Sequence, residues 1–246
     1  MVTFVDVRQR VAGLRPETRT ALGLSALLLL YSNGTSVFDH DTRELFLLWS
    51  NLAVLAALLA WAFGRARLTL SDAGLEPGNV AGSAMFGVIV SLLAALPPVL
   101  FIVLAPLYNG GPVEADDITE RSGAQMAYFL LFRQPVGTAL FEELAFRGVL
   151  YGAWLRAGGD RAAFLGTSAV FALWHVVITS RTVVESGVVD HAAAVAAGVL
   201  VSLLGLFAGG LIFAYLRWHT RSAAAAVMAH WLIVAAMSTA VWAMGR

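Results

Sequence analysis

Cysteine and lysine are both missing from this 246-residue sequence. Without cysteine there is no disulfide, no thiolate nucleophile and no cysteine metal cluster. All 16 basic side chains are arginine, which we read as the bias of a GC-rich and hence prokaryotic source rather than as chemistry. Charge itself is scarce. Only 13% of residues are charged and the formal net charge is +0, whereas an average soluble domain carries about 25% charged residues. Such a balance gives no acidic tail and no nucleic-acid-binding patch. Val2–Arg19 holds Arg8, Arg10, Arg15 and Arg19 around no apolar core, so no cleavable signal peptide is expected.

What is present suits lipid. Hydrophobic residues make up 59% of the chain and mean hydropathy is +0.77. A helical crossing of the bilayer takes about 20 apolar residues. Seven stretches approach that length: Thr20–Phe38, Leu45–Phe63, Ser83–Tyr108, Ala124–Leu155, Ala162–Ser180, His191–Trp218 and Ser222–Met244. The expected fold is therefore all-α, a polytopic transmembrane bundle of about seven spans. The first stretch is interrupted by Ser32–Asn33–Gly34. The third contains Pro97–Pro98, where a kink is expected. The fourth is too long for one straight span and contains Arg133 and Pro135. It is expected to begin as a short surface or re-entrant helix and to become a span near Pro135.

Arginines in short loops report orientation. With the N-terminus inside, the inner segments hold Arg8, Arg10, Arg15, Arg19, Arg65, Arg67, Arg156, Arg161, Arg217 and Arg221. The outer ones hold Arg43, Arg121, Arg181, Arg246 and, near the boundary, Arg133. The loop Asn109–Gly123, acidic through Glu114, Asp116, Asp117 and Glu120, then lies outside. A cytoplasmic N-terminus is expected. No repeat is visible, and residues 1–246 read as one membrane domain. Ala223–Ala226, Gly205, Gly209 and Gly210 suit close helix packing in lipid.

Ionisable residues inside spans are costly to bury and mark candidate sites. Those that remain after the loops are removed are Glu142, Glu143, Arg147, His175 and His230. In LFEELAFRGVLY, Glu143 and Arg147 stand at i,i+4 and can pair. Glu142 lies about 100° round the helix, out of comfortable reach of that arginine. One carboxylate is thereby neutralised and the other left free. A desolvated, unpaired carboxylate is the kind of group that serves as a general base near neutral pH. The bland alternative is a structural ion network. A lone histidine in a span, such as His175 in FALWH or His230 in VMAHWL, is more often packing than catalysis. A carboxylate and two histidines converging from separate spans are hard to explain by packing alone. His40 reads as a solvated loop residue beside Asp39 and Asp41. His191, near Asp190, and His219, near Arg217, sit at span boundaries.

EELAFR resembles the EExxxR motif, and FALWH the FxxxH motif, of the CPBP family. These are the type II CAAX prenyl proteases and bacteriocin-processing intramembrane proteases, also called Abi. The order and spacing of the two motifs and the later His230 are also similar, over roughly residues 135–242. The resemblance implies an intramembrane endopeptidase with its catalytic core in spans four to seven. Glu142 would be the general base. His175 would hold the same water and later protonate the leaving amine, while Glu143 and Arg147 would fix the local field. His230 would stabilise the oxyanion. A metal-free mechanism is favoured. The zinc alternative would use Glu142, His175 and His230 as ligands, although no HExxH occurs in the sequence. The implied partners are the bilayer and a membrane-associated peptide or protein, with no nucleic acid. The family commonly has Asn four residues after its last histidine. Here that position is Val234, so a slower protease is expected unless Ser238, Ser168 or Thr167 supplies the missing donor. Rival readings are an inactive scaffold, an immunity protein or a transporter with a buried-charge network. No matched pair of broken spans supports a transporter.

Overall fold

The computed structural model describes residues 13–38, 40–113, 115–185 and 191–246, and of residues 40–45, 108, 109 and 185 the backbone alone. Arg8, Arg10, Asp39, Glu114 and Asp190, and the side chains of His40, Asp41 and Arg43, lie outside the described residues. Every regular element among those described is helical.

The first helix, α1, is Pro16–Thr35, with proline in its first turn and Glu17 beside the positive end of the helix dipole. The second, α2, is His40–Gly64. A 3₁₀ turn, Pro77–Asn79, leads into α3 Val80–Ala94, α4 Leu96–Val103 and α5 Ala105–Asn109. The breaks fall at Ala95 and Leu104, each two residues ahead of a proline. Proline lacks the N–H that would continue the ladder, and its ring disfavours helical geometry before it. The helical bonding is thus interrupted just ahead of Pro97–Pro98, where a kink was expected, while Ala95 keeps helical geometry (φ −75°, ψ −22°). After α6 Asp116–Thr119, a capping box between Ser122 and Gln125 starts α7 Gly123–Tyr128.

From here the chain departs from ordinary α winding. Phe129–Arg133, Pro135–Leu140 and Leu144–Leu150 are π-wound, separated only by Gln134 and by a short α turn, α8 Phe141–Glu143. The expected change from surface helix to span near Pro135 does not occur. Pro135 instead opens a π-wound stretch within a continuous helix, and its missing N–H falls at a junction between stretches. Each stretch gives one carbonyl to a side chain of another helix. Trp231 Nε1 donates to Leu130 O at 2.8 Å, Asn51 Nδ2 to Gly137 O at 2.7 Å, and Arg217 Nε to Arg147 O at 3.1 Å. Wide winding is rare and occurs mostly at functional sites.

The next helix, α9 Tyr151–Trp174, is two helices meeting at Gly158 (φ −156°, ψ 16°) and Gly159 (φ 72°, ψ −168°). Only glycine adopts the Gly159 conformation without strain. This break lies between the fourth and fifth stretches expected from sequence. The helix ends at His175 and resumes as α10 Val176–Glu185. The chain closes with α11 Ala192–Thr220 and α12 Ala223–Met244.

Four described helices are long and apolar enough to cross a bilayer: Phe46–Gly64, Pro77–Leu107, Ala192–Thr220 and Ala223–Met244. Gly123–Trp174 with Val176–Val184, bent by 43°, makes a fifth. The protein is thus an integral membrane protein; four to five described helices qualify by length and composition, and this does not confirm the expected seven. Helix α1 falls short because both of its ends, Glu17–Thr20 and Ser32–Thr35, are polar. The expected fourth and fifth stretches lie on either side of the break at Gly158–Gly159.

Several arginines tie loops and helix ends together. Arg15 donates to Ala157 O, and Arg156 to Ala66 O and Arg67 O at 3.1 and 2.8 Å. Arg156 also pairs with Asp72 at 2.6 Å. Burial alone would raise the Asp72 carboxyl, but hydrogen bonds from Thr69 and the Arg156 charge outweigh it and hold the group below its ordinary value. Arg246 and Trp242 converge on Arg121 O at 3.0 and 2.8 Å. The apolar core contains Leu28, Phe141, Phe146, Leu150, Phe171, Trp174 and Phe213, among others.

Small residues bring helices close at some positions and not at others. A Cβ on Gly87 would run into the Ala225 backbone carbonyl, within the alanine run singled out from sequence. A Cβ on Gly210 would sit 3.0 Å from Ser168 Cα. Gly205 and Gly209 face open space and do not serve the packing expected of them. Gly87→Ala should therefore lower the melting temperature in detergent, at a cost of about 1–3 kcal/mol. Gly205→Ala should leave melting unchanged or raise it slightly. Equal effects at the two positions would contradict this packing.

Candidate active site

The five ionisable residues singled out from sequence lie on three parts of the chain. Glu142 and Glu143 end α8, Arg147 lies on the π-wound stretch that follows, His175 caps α9, and His230 is on α12. Glu143 and Arg147 are both fully buried, at 0% exposure. Their separation is 3.3 Å, in the i,i+4 arrangement expected. Arg147 Nη2 also donates to Gly210 O at 3.1 Å. The guanidinium lies 4.4 Å from the centre of the Phe171 ring and 5.2 Å from that of Phe213. Aromatic faces of this kind stabilise a desolvated cation.

His230 Nδ1 lies 2.8 Å from Glu143 Oε1, and its ring stacks on Phe213 at 5.2 Å and 19°. The direct contacts make a buried chain His230–Glu143–Arg147 beside the pair Glu142–His175. Phe171 lies against both histidines, 4.8 Å from the His175 ring and 6.1 Å from that of His230. The expectation that Glu143 turns to Arg147 holds, and the same carboxylate also takes His230.

The Glu142–His175 pair is more open. His175 Nε2 is 4.0 Å from Glu142 Oε2, with side-chain exposures of 21% and 9%. That is too long for a hydrogen bond but close enough for one water to reach both at about 2.8 Å. Glu142 Oε2 has no hydrogen-bond partner in the protein. The His175 tautomer follows from its other nitrogen. Nδ1 is 2.8 Å from Phe171 O, and a carbonyl can only accept, so Nδ1 carries the hydrogen. The Nε2 lone pair then faces Glu142. His175 sits at φ −94°, ψ 0°, in the sparsely populated bridge region.

No group of three or more His, Asp or Glu able to hold a metal ion occurs among the described residues. Of the residues expected to serve a zinc ion, His230 has its Nδ1 held by Glu143 at 2.8 Å, which leaves Nε2 as its free nitrogen. Of the hydroxyls weighed against the missing asparagine, Thr167 is spent on Ala163 O at 2.6 Å. Ser168 Oγ is buried without a partner, and Ser238 is half-buried near Val234 on α12. Sequence reasoning passed over Tyr31, Ser32, Asn33 and Asn51, which hold the backbone on both sides of the pair. The only signal was polarity inside otherwise apolar stretches.

Residues 124–236 match the family model described as type II CAAX prenyl endopeptidase Rce1-like. The matched segment contains Glu142, Glu143, Arg147, His175 and His230. No curated protein and no solved structure matches the chain.

The two groups should respond differently to neutralisation. Glu143→Gln leaves Arg147 buried without its carboxylate, which costs about 3–5 kcal/mol. It should sharply reduce the yield of folded protein in detergent. Glu142→Gln breaks no direct bond and should melt within a few degrees of the wild-type protein. A Glu143→Gln protein as stable as wild type would show that the buried chain does not hold the helices.

Proposed function

Since residues 124–236 belong to the Rce1-like family of type II CAAX prenyl endopeptidases, we propose that the chain hydrolyses a peptide bond of a membrane-associated substrate through Glu142 and His175. The observation that carries this reading is the 4.0 Å gap between Glu142 Oε2 and His175 Nε2, with Nδ1 tied back to Phe171 O. A water in that gap donates one hydrogen to the carboxylate and the other to Nε2. Its oxygen is thereby aimed and made nucleophilic.

Attack on the scissile carbonyl forms the C–O bond as the water proton passes to Glu142. Collapse of the tetrahedral species breaks the C–N bond. The proton taken by Glu142 passes on to His175 Nε2, which delivers it to the leaving amine. The new carboxylic acid loses its own proton to solvent, so the products are a carboxylate and an amine, and the pair returns to its starting state. Glu143, Arg147 and His230 support this arrangement as a neutralised buried chain. With Nδ1 donating to Glu143, His230 carries a hydrogen on Nε2 only as the imidazolium, so an oxyanion contact from His230 requires the charged ring. Val234 offers no amide beside it. One such donor is worth about 10²–10³ in rate, which makes this a slow member of its class.

The reading is metal-free: Glu142 and His175 alone act on the water, and the sequence carries no HExxH pair. Ten arginines against five favour a cytoplasmic N-terminus. The substrate class is a peptide or protein segment presented at the membrane.

Purified protein in detergent should cleave a quenched peptide, with or without chelator. Glu142→Gln and His175→Ala should each reduce the rate by at least about 10² while leaving the melting temperature near that of wild type. Full activity in Glu142→Gln would sink the assignment. Loss of activity with chelator, restored by zinc, would replace the metal-free mechanism.

A further inference from the structure

We propose that Tyr31, Ser32 and Asn33 of α1, with Asn51 of α2, form a brace that sets the Glu142–His175 separation, and that they are positioning residues for the hydrolysis proposed above, on which this inference rests. All four lie outside the segment matched by the family model.

The argument begins with the backbone around His175. A helix that stops leaves its last four carbonyls without helical partners, and inside a bundle each needs another donor. All four are accounted for. Phe171 O takes His175 Nδ1 at 2.8 Å. Ala172 O takes the His175 N–H at 3.1 Å. Leu173 O takes Asn33 Nδ2 at 3.3 Å, and Trp174 O takes Ser32 Oγ at 2.7 Å. Across the bend, the Val177 N–H donates to Asn33 Oδ1 at 3.4 Å. One asparagine thus touches both sides of the break that His175 occupies. The contact is reciprocal: Arg181 of α10 donates to Ser36 O, and to Val37 O and Phe38 O at 3.3 Å each. A cation there also suits the negative end of α1.

The other arm starts one residue earlier. The Tyr31 hydroxyl donates to Asn51 Oδ1 at 2.7 Å, and Asn51 Nδ2 donates to Gly137 O at 2.7 Å. Gly137 belongs to the π-wound stretch that runs directly into Glu142. The Tyr31 ring lies 6.1 Å from Phe141 and 6.0 Å from Trp174. Those two residues immediately precede Glu142 and His175. Three consecutive residues of α1 therefore touch the backbone or the neighbour of both reactive groups. Displacing a catalytic group by about 1 Å can cost about 10² in rate, so a spacer at this point controls the reaction without touching substrate.

The test uses full-length protein in detergent, a quenched peptide, and diethyl pyrocarbonate labelling of His175 read by peptide mass spectrometry. The variants are Ser32→Ala/Asn33→Ala, Ser32→Thr and Tyr31→Phe. The double variant should lower kcat at least about tenfold with KM unchanged, and should alter the rate of His175 labelling. Ser32→Thr keeps a hydroxyl and should retain wild-type kcat. Tyr31→Phe keeps the ring but loses the link to Asn51, and should lower kcat alone. A double variant with a reduced melting temperature but unchanged kcat and labelling would overturn the brace. If the double variant does not fold, Tyr31→Phe decides: unchanged kcat overturns the proposal. If wild-type protein cleaves no peptide, the proposed function fails, and labelling judges the brace separately. An altered His175 labelling rate in the double variant or, where that does not fold, in Tyr31→Phe then sustains it, and an unaltered rate overturns it.

Discussion

Three backbone carbonyls of the π-wound run from Phe129 to Leu150 each accept a hydrogen bond from a side chain of another helix. In a membrane interior no water competes for such donors, so these contacts tie the run to its neighbours. Leu130, Gly137 and Arg147 receive Trp231, Asn51 and Arg217. These three donors come from α12, α2 and α11, which means the run cannot relax without releasing three neighbours. The reactive residues are placed by this constraint. Glu142 lies between two of the stretches, and Arg147, whose own carbonyl is one of the three, anchors the buried charge chain.

Charge is divided with the same economy. An isolated ionised group in this core would be prohibitively costly. Arg147 is accepted because Glu143, the Gly210 carbonyl and three aromatic faces surround it. His230 completes that chain on the side of α12. Glu142 Oε2, Glu143 Oε2 and Arg147 Nε each lack a hydrogen-bond partner in the protein, but Glu142 has no ion pair with an arginine among the described residues. It faces the Nε2 of a half-buried histidine at a helix break. The arrangement separates the groups that hold the helices from the pair available to a water.

Much of this was legible in the sequence for physical reasons. The i,i+4 spacing of Glu143 and Arg147 dictates their contact on any helix. The gap between the expected fourth and fifth stretches contains Gly158–Gly159, where the helix breaks. Scarcity of charge singled out five ionisable residues, and the fold places them in contact as the chain His230–Glu143–Arg147 and the neighbouring pair Glu142–His175. What was not legible depends on winding and on neighbours. Which of two adjacent glutamates His230 would meet is set by the angle between helices, and no spacing rule encodes it. π winding has no sequence signature here beyond Pro135 and Gly137. Hydropathy also misled at Ser32–Asn33–Gly34, which reads as a flaw in a span. In the fold, Ser32 and Asn33 satisfy the carbonyls freed at His175. A polar residue that weakens a span by composition can be what a neighbouring broken helix requires.

The account centres on Glu142 and His175 sharing one water as a coupled acid–base pair. The decisive measurement is the cleavage rate of one peptide by purified wild-type protein, Glu142→Gln, His175→Ala and the double variant. Two groups that act on one water are non-additive, so the account predicts a double variant about as slow as the slower single variant. Losses that multiply in the double variant would contradict it.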